Sequence, residues 1–335
     1  MLDLNGKKIL LVRNDNIGDA VLSTPVLQAI KEQFPTCFIG VLCAGYSKEA
    51  FIGNPYIDRL FVYEKAKHHS GLPAKLSAWA GHLKTMLAIR GEKFDYAVGL
   101  RSSFSRSNAA LVRWSAAVTK VVRLPQKTKD MAPFDAFIDE SPAGKHEVQN
   151  AFDCLKLFGV EDKNYRPYVN IPQNAYDTVL QRLQTAGFAS GKYVVFHISS
   201  RLPVNRWKID KFLRLASLIS VELGLKVAVT AAPKSDEEKI AKELFCSKHI
   251  KYFETASLAE FGVLCRHSKC LITLDGGAMH YGAVFAPSVV AIFGKTNPIS
   301  WHPYCEKAVT ISAPAKIADD VTPDEIYKSV RDYVV

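Results

Sequence analysis

Two rhythms of apolar residues run through the chain. Short unbroken apolar runs, bounded by Gly, Asn or Asp, read as strands buried on both faces. Between them apolar residues recur every three or four positions, as on one face of a helix. In the first half this pattern predicts strands over 8–13, 38–43, 59–62, 96–99 and 120–123, with helical or loop segments between them. Val21, Leu22, Val26, Ala29, Ile30 and Phe34 fall on one helical face. Pro25 leaves two readings of that helix. It is capped at Ser23 or Thr24 with Pro25 in its first turn, or it starts nearer Asp19 and is kinked at Pro25. The passage 140–172, with Pro142, Gly144, Pro167 and Pro172, is looser and holds one helix over 147–158. The second half predicts helices over 175–186, 211–222 and 236–245, another near 257–265, and strands over 193–198 and 226–230. It closes with a strand–glycine turn–helix–strand unit over 271–298 and an amphipathic helix over 323–334.

The β-α order implies mostly parallel sheets covered on both faces, an α/β fold. A chain of 335 residues is long enough for two such cores. The expected division is 1–172 and 173–335, with the last helix, 323–334, a candidate to pack back on the first domain. A hydrophobic share of 48% and a charged share of 23% are those of a soluble globular protein. No window approaches the roughly 20 apolar residues of a membrane span. The apolar run Ile9–Val12 is too short for a signal peptide, so a cytoplasmic protein is expected. Seven cysteines without C-x-x-C or ligand spacing read as reduced, mostly core-packed thiols.

Charge changes the picture. Between Arg59 and Lys129 fourteen Lys/Arg face only Glu64, Glu92 and Asp95, so this stretch carries essentially the whole net charge of +10. A localised surplus points to an anionic partner: nucleic acid, anionic lipid or a phosphorylated acceptor.

Three places can carry chemistry. Asn16-Ile17-Gly18-Asp19 follows the first strand, at the carboxyl edge where open parallel sheets bind ligands. Asp19 there reads equally as a residue that merely caps a helix. Ser199, Ser200 and Arg201 follow the strand ending at Ile198, with Asn205, Arg206 and Trp207 beyond. Hydroxyls and guanidinium groups suit phosphate oxygens, although a hydroxyl-bridged turn with surface arginines has the same pattern. Asp275, Gly276, Gly277, Met279 and His280, closed by Gly294, Lys295 and Thr296, read as a pyrophosphate cradle. Asp275 also suits its own turn, and His280 is either a phosphate donor or a packed histidine. No D-x-D, G-x-G-x-x-G after the first strand, or G-x-x-x-x-G-K-[ST] is present. Metal-held nucleotide-sugar, nicotinamide and NTP-hydrolysing chemistries all lose weight.

Together these places resemble the glycosyltransferase family 9 heptosyltransferases. ILLVRNDNIGDAVLSTPVLQAIKEQFP is similar to the family's first strand, G-D loop and T-P helix. HISSRLPVNRW is similar to its donor-phosphate segment, and LITLDGGAMHYGAVFAPSVVAIFGKTNP to its D-[ST]-G-x-x-H and G-P-T-x-P signature. The resemblance implies a GT-B architecture, two facing Rossmann-like domains with a central cleft. It implies an ADP-heptose donor on the C-terminal domain and, on the N-terminal domain, a phosphorylated lipopolysaccharide inner-core acceptor. No metal or other cofactor is implied. Asp19 matches the catalytic base of an inverting transfer. Ser199, Ser200, Arg206, Asp275, Gly276, Gly277, Met279, His280, Lys295 and Thr296 match the donor site, and Asn16, Gly18, Arg101 and Arg123 are expected to meet the acceptor. A lipid-linked acceptor also implies peripheral contact with the cytoplasmic face of the inner membrane, through basic side chains; Trp79 and Trp114 read either as part of that contact or as core residues.

The chain departs from the family twice. Asn205 stands where Lys is common, and Lys295 where the G-P-T motif has Pro. Lys295 is then expected to restore the missing cation. The departures keep two other readings open: another GT-B-like nucleotide-sugar enzyme, such as a hydrolysing epimerase or one using a different sugar donor, and a non-catalytic sugar-nucleotide- or lipopolysaccharide-binding paralogue. Nucleic acid is not expected, because the basic residues lack the aromatic interleaving of a stacking platform.

Overall fold

The computed structural model describes residues 1–64, 72–124, 134–139 and 144–334, with backbone alone over 72–76. Lys65, Lys67, Lys127, Lys129 and Pro142, and the side chain of Lys75, lie outside the described residues. The chain forms two compact units, Met1–Asn170 and Ile171–Val335.

The first unit runs β1 (Lys8–Arg13), α1 (Ile17–Leu22), α2 (Pro25–Gln33), β2 (Phe38–Ala44), β3 (Arg59–Tyr63), α3 (Leu72–Glu92), β4 (Tyr96–Gly99), α4 (Arg106–Trp114), β5 (Thr119–Arg123), β6 (Ala136–Ile138) and α5 (Glu147–Asp153). Its sheet has the order β3-β2-β1-β4-β5-β6, parallel throughout. The second runs α6 (Gln173–Thr185), β7 (Tyr193–His197), α7 (Ile209–Glu222), β8 (Lys226–Thr230), α8 (Asp236–Leu244), β9 (Ile250–Tyr252), α9 (Leu258–Arg266), β10 (Leu271–Leu274), α10 (Gly277–Ala283), β11 (Val289–Phe293), α11 (Pro298–Trp301), β12 (Ala308–Ser312) and α12 (Pro323–Val334). Its order is β12-β11-β10-β7-β8-β9, also parallel.

Both units therefore have one topology, in which the first strand lies beside the fourth and the winding reverses between them. That reversal opens a crevice at the strands' carboxyl ends. The central strands are unbroken apolar runs because helices cover both faces, and each fully buried Leu, Ile or Val adds about 1.5–3 kcal/mol. α10 lies close on its sheet: a Cβ at Gly282 would meet the Leu271 side chain at 2.5 Å.

Both readings of the first helix hold in part. It starts at Ile17, breaks at Ser23 and Thr24, and restarts at Pro25. Ser23 and Thr24 do not cap forward, because their hydroxyls donate back to the carbonyls of Ala20 (2.7 Å) and Val21 (2.8 Å). The helix expected over 147–158 ends at Asp153, continues as a 3-10 turn Lys156–Phe158, and stops at Gly159, whose φ of 68° is left-handed. The last helix belongs to the second unit. Its Ile326, Val330 and Val334 are buried in the second unit's core, and it packs on α7. Among the described residues no helix is long and apolar enough to cross a membrane.

Candidate active site

In the first unit, β1 runs out of its apolar stretch at Arg13, whose side chain is only 1% exposed. A buried guanidinium is tolerable only if it is paired and hydrogen-bonded. Three carboxylates converge on it: Glu147 at 2.8 Å, Asp15 at 2.9 Å and Asp19 at 3.1 Å. The Leu100 carbonyl, beyond β4, accepts from it as well. Burial works against the Arg13 charge, but Asp15, Glu147 and Asp19 outweigh it and raise its pKa. Asp15 also pairs with Arg101 at 2.9 Å. Burial pushes Asp15 up to about 6; Arg13 and Arg101 oppose the rise and the Asp19 charge adds to it.

Asp19 lies in the first turn of α1, its side chain 14% exposed, and its second oxygen accepts from Asn16 Nδ2 at 3.2 Å. Asn16 itself is exposed and Arg101 is partly so. Asn108 of α4 ties the crevice together, donating to the Val12 carbonyl (2.9 Å) and the Asn14 side chain (3.2 Å). Gly99 must lack a side chain there, since a Cβ would lie 2.1 Å from Asn108 Oδ1.

Two acceptor expectations need correction. Gly18 is buried inside α1, which packs on the 45–50 turn and α5, so it offers no surface to a ligand. Arg123 is buried too. Its guanidinium donates to the carbonyls of Arg101 (2.9 Å), Asn150 (3.1 Å) and Asp139, so it pins the loop after β4 instead of presenting charge.

In the second unit the residues beyond β7 and β10 meet directly. Ser200 Oγ donates to the Asp275 carbonyl at 3.1 Å, and Ser199 Oγ accepts from the Ala232 amide at 2.9 Å. Asn205, 1% exposed, donates from Nδ2 to Asp275 Oδ2 at 2.7 Å and to Thr296 Oγ1 at 3.1 Å. Its Oδ1 accepts from the Lys295 backbone amide at 3.0 Å. One amide thus joins the 203–205 turn, the end of β10 and the loop after β11. Burial raises the Asp275 pKa, and the Thr296 hydroxyl works the other way. Gly294 lets that loop approach, because a Cβ would stand 2.4 Å from the Val204 carbonyl.

Gly276 is extended (φ 161°), with no atom within 4 Å of where its Cβ would lie, and Gly277 opens α10. His280 is buried, its ring 6.0 Å from that of Trp301. Met279 is fully buried, so its side chain belongs to the core. Arg206 is half exposed but committed: its Nε donates to the Ser200 carbonyl (2.9 Å) and lies 3.2 Å from Glu237. Lys295 is exposed and makes no ion pair among the described residues.

Sequence reasoning missed Arg13, Asp15, Glu147 and Asn108, and treated Asn205 only as a lost cation. The available signal was a lone arginine closing an apolar strand two positions before an aspartate. Among the described residues no cluster of His, Cys, Asp or Glu is placed to hold a metal ion. The three carboxylates of the first unit converge on Arg13, which fills the place a cation would take.

Comparison with known proteins places this arrangement. The sequence pattern of glycosyltransferase family 9 (heptosyltransferase) matches residues 83–330. The chain belongs to this family. It is a glycosyltransferase 23% identical over 297 residues to lipopolysaccharide heptosyltransferase 3 of Escherichia coli K12, covering 87% of this chain and 84% of that one. Its fold is shared with a family 9 glycosyl transferase from Veillonella parvula (TM-score 0.85, 19% identity, 99% and 98% of the two chains). It is also shared with E. coli heptosyltransferase WaaC, solved with ADP (TM-score 0.78, 17% identity, 97% and 99%). The glycosyltransferase therefore has the GT-B class of fold, built from two Rossmann-like units. Within it, the Asn205 departure is structural as well as electrostatic: an amide that both donates and accepts joins three loops, which an ammonium cannot do.

Proposed function

We propose that this glycosyltransferase moves a heptose from ADP-heptose to a phosphorylated lipopolysaccharide inner-core acceptor, with inversion and without a metal ion. The observation that carries the reading is that the residues matched to the family motifs gather at the winding reversal of each sheet. Asp19 stands at one, and Ser199, Ser200, Asp275 and Thr296 stand at the other.

In this reading the second unit holds the ADP moiety and the first presents the acceptor. Asp19 takes the proton of the acceptor hydroxyl as its oxygen bonds to the anomeric carbon. The bond from that carbon to the β-phosphate oxygen breaks, and ADP leaves with the electron pair. Negative charge grows on the diphosphate, where Lys295, the Thr296 hydroxyl and backbone amides at the start of α10 supply donors. Arg13, paired with Asp19 at 3.1 Å, holds that carboxylate in place. The acceptor is lipid-linked, so contact with the inner membrane is peripheral, at its cytoplasmic face.

The test is transfer itself. Purified protein, ADP-heptose and a truncated inner-core acceptor, treated with EDTA, should yield a heptosylated product of inverted anomeric configuration by NMR. A requirement for added metal, a retained configuration, or release of free heptose without acceptor would defeat the proposal. The burial of Asn205 in the place of a cation favours a second reading, a different sugar donor. A panel of ADP- and UDP-sugars in the same assay decides between the two.

A further inference from the structure

The first unit carries a second concave feature, away from its buried charge cluster. α3 and α4 border an apolar groove of about 810 Å³, with Trp79, Leu83, Met86, Leu111 and Trp114 among its lining residues. The tryptophans that flank it are 64% and 52% exposed, and Leu83, Leu87 and Val118 also face solvent. Contiguous apolar surface of this kind marks a binding face. Tryptophan, with an apolar body and a polar N–H, favours the boundary between hydrocarbon and water.

The charges around the groove are of one sign. The described part of α3 carries Lys84 and Arg90, α4 carries Arg106 and Arg113, and all four are exposed. The carboxylate on these helices, Glu92, is engaged by Lys8 and Arg59. Arg90 donates to the Trp114 carbonyl at 2.9 Å and lies over the indole ring, 5.7 Å from its centroid, so one anchor and one cation form a unit. Lys84, Arg106 and Arg113 make no ion pair among the described residues. A protein partner's interface core is depleted of charge, whereas an anionic bilayer offers phosphates above and hydrocarbon below. The groove also reaches the candidate acceptor loop: Ser107, on its wall, accepts from Asn14 at 3.3 Å.

We propose that the α3–α4 groove is the surface by which this protein docks on an anionic membrane, with Trp79 and Trp114 seated at the headgroup level and Lys84, Arg90, Arg106 and Arg113 on lipid phosphates. This deepens the peripheral contact proposed above by assigning it a surface. Its test does not depend on transfer.

The full chain is floated with vesicles of phosphatidylcholine, and of phosphatidylcholine containing phosphatidylglycerol, at low and high salt. Binding should need the anionic lipid and fall with salt. Removing one cation (Lys84→Gln or Arg113→Gln) should weaken it about fivefold. Trp79→Ala/Trp114→Ala should weaken it tenfold or more while leaving the melting temperature unchanged. Transfer to a short, acyl-free acceptor should also survive in that variant, which separates docking from catalysis. Equal binding to both vesicles, full binding by the double tryptophan variant, or no vesicle binding by the natural protein would overturn the proposal. So would a dimer in vesicle-free solution that the tryptophan changes dissolve.

Discussion

Asn205 donates to the Asp275 carboxylate at 2.7 Å while accepting from the Lys295 amide at 3.0 Å. The two side chains are 70 positions apart in sequence and both are buried. Removing the amide in Asn205→Ala leaves Asp275 without that donor and the Lys295 N–H without its acceptor. A buried polar group left unsatisfied costs about 1–3 kcal/mol. Urea unfolding should register that loss, and calorimetry should show ADP binding weakened about tenfold. Asn205→Lys, the family residue, should not rescue, because an ammonium donates but cannot accept from the Lys295 N–H. A lysine variant as stable as the natural protein and more active would show that this acceptor is dispensable.

Lys295→Met tests the replacement cation. The side chain is exposed and free of ion pairs among the described residues, so folding should be untouched. Loss of one preorganised donor to a leaving group typically lowers turnover by about 100–1,000-fold. Circular dichroism and steady-state rates with ADP-heptose check both halves; unchanged turnover disposes of the role.

Asp19→Asn keeps the side chain's size and one acceptor oxygen while removing the base. Turnover should fall by about 100–10,000-fold. ADP affinity should not move, since Asp19 belongs to the first unit and the donor groups to the second. A variant that keeps its turnover removes Asp19 from the chemistry.

Asp15 gives a stability signature in pH. An unfolded aspartate titrates near about 3.9, and burial pushes Asp15 up to about 6. The folded state therefore binds this proton more tightly. The group's contribution is complete below about pH 4 and is lost as pH rises through 6, by at most about 3 kcal/mol. Asp15→Asn lacks the titration, so its stability relative to the natural protein should improve from pH 4 to pH 6. Denaturant unfolding at several pH values measures the difference, and a flat difference would mean that Asp15 is not raised.

Much of the fold was readable because buried parallel strands are unbroken apolar runs and their covering helices are periodic. Three of the four edge strands were not. β9 and β12 are half exposed and β6 has three residues, so none shows the full apolar run that marks a central strand. The tryptophans illustrate a different limit. Trp79 and Trp114 sit among apolar neighbours in sequence, and periodicity alone does not tell an apolar face that is covered from one that is open.

By itself the sequence determined two α/β units and put Asp19, Ser199, Ser200, Asp275 and Thr296 in the turns after strands, because local periodicity and turn chemistry act over a few residues. Tertiary structure decided which charges are free to act. Arg13 finds Glu147 134 positions away, Arg123 turns inward to backbone carbonyls, and Asn205 bridges three loops. Each of those outcomes follows from satisfying a buried polar group. The partners that do so are chosen by how strands and helices pack, which no stretch of the chain records locally.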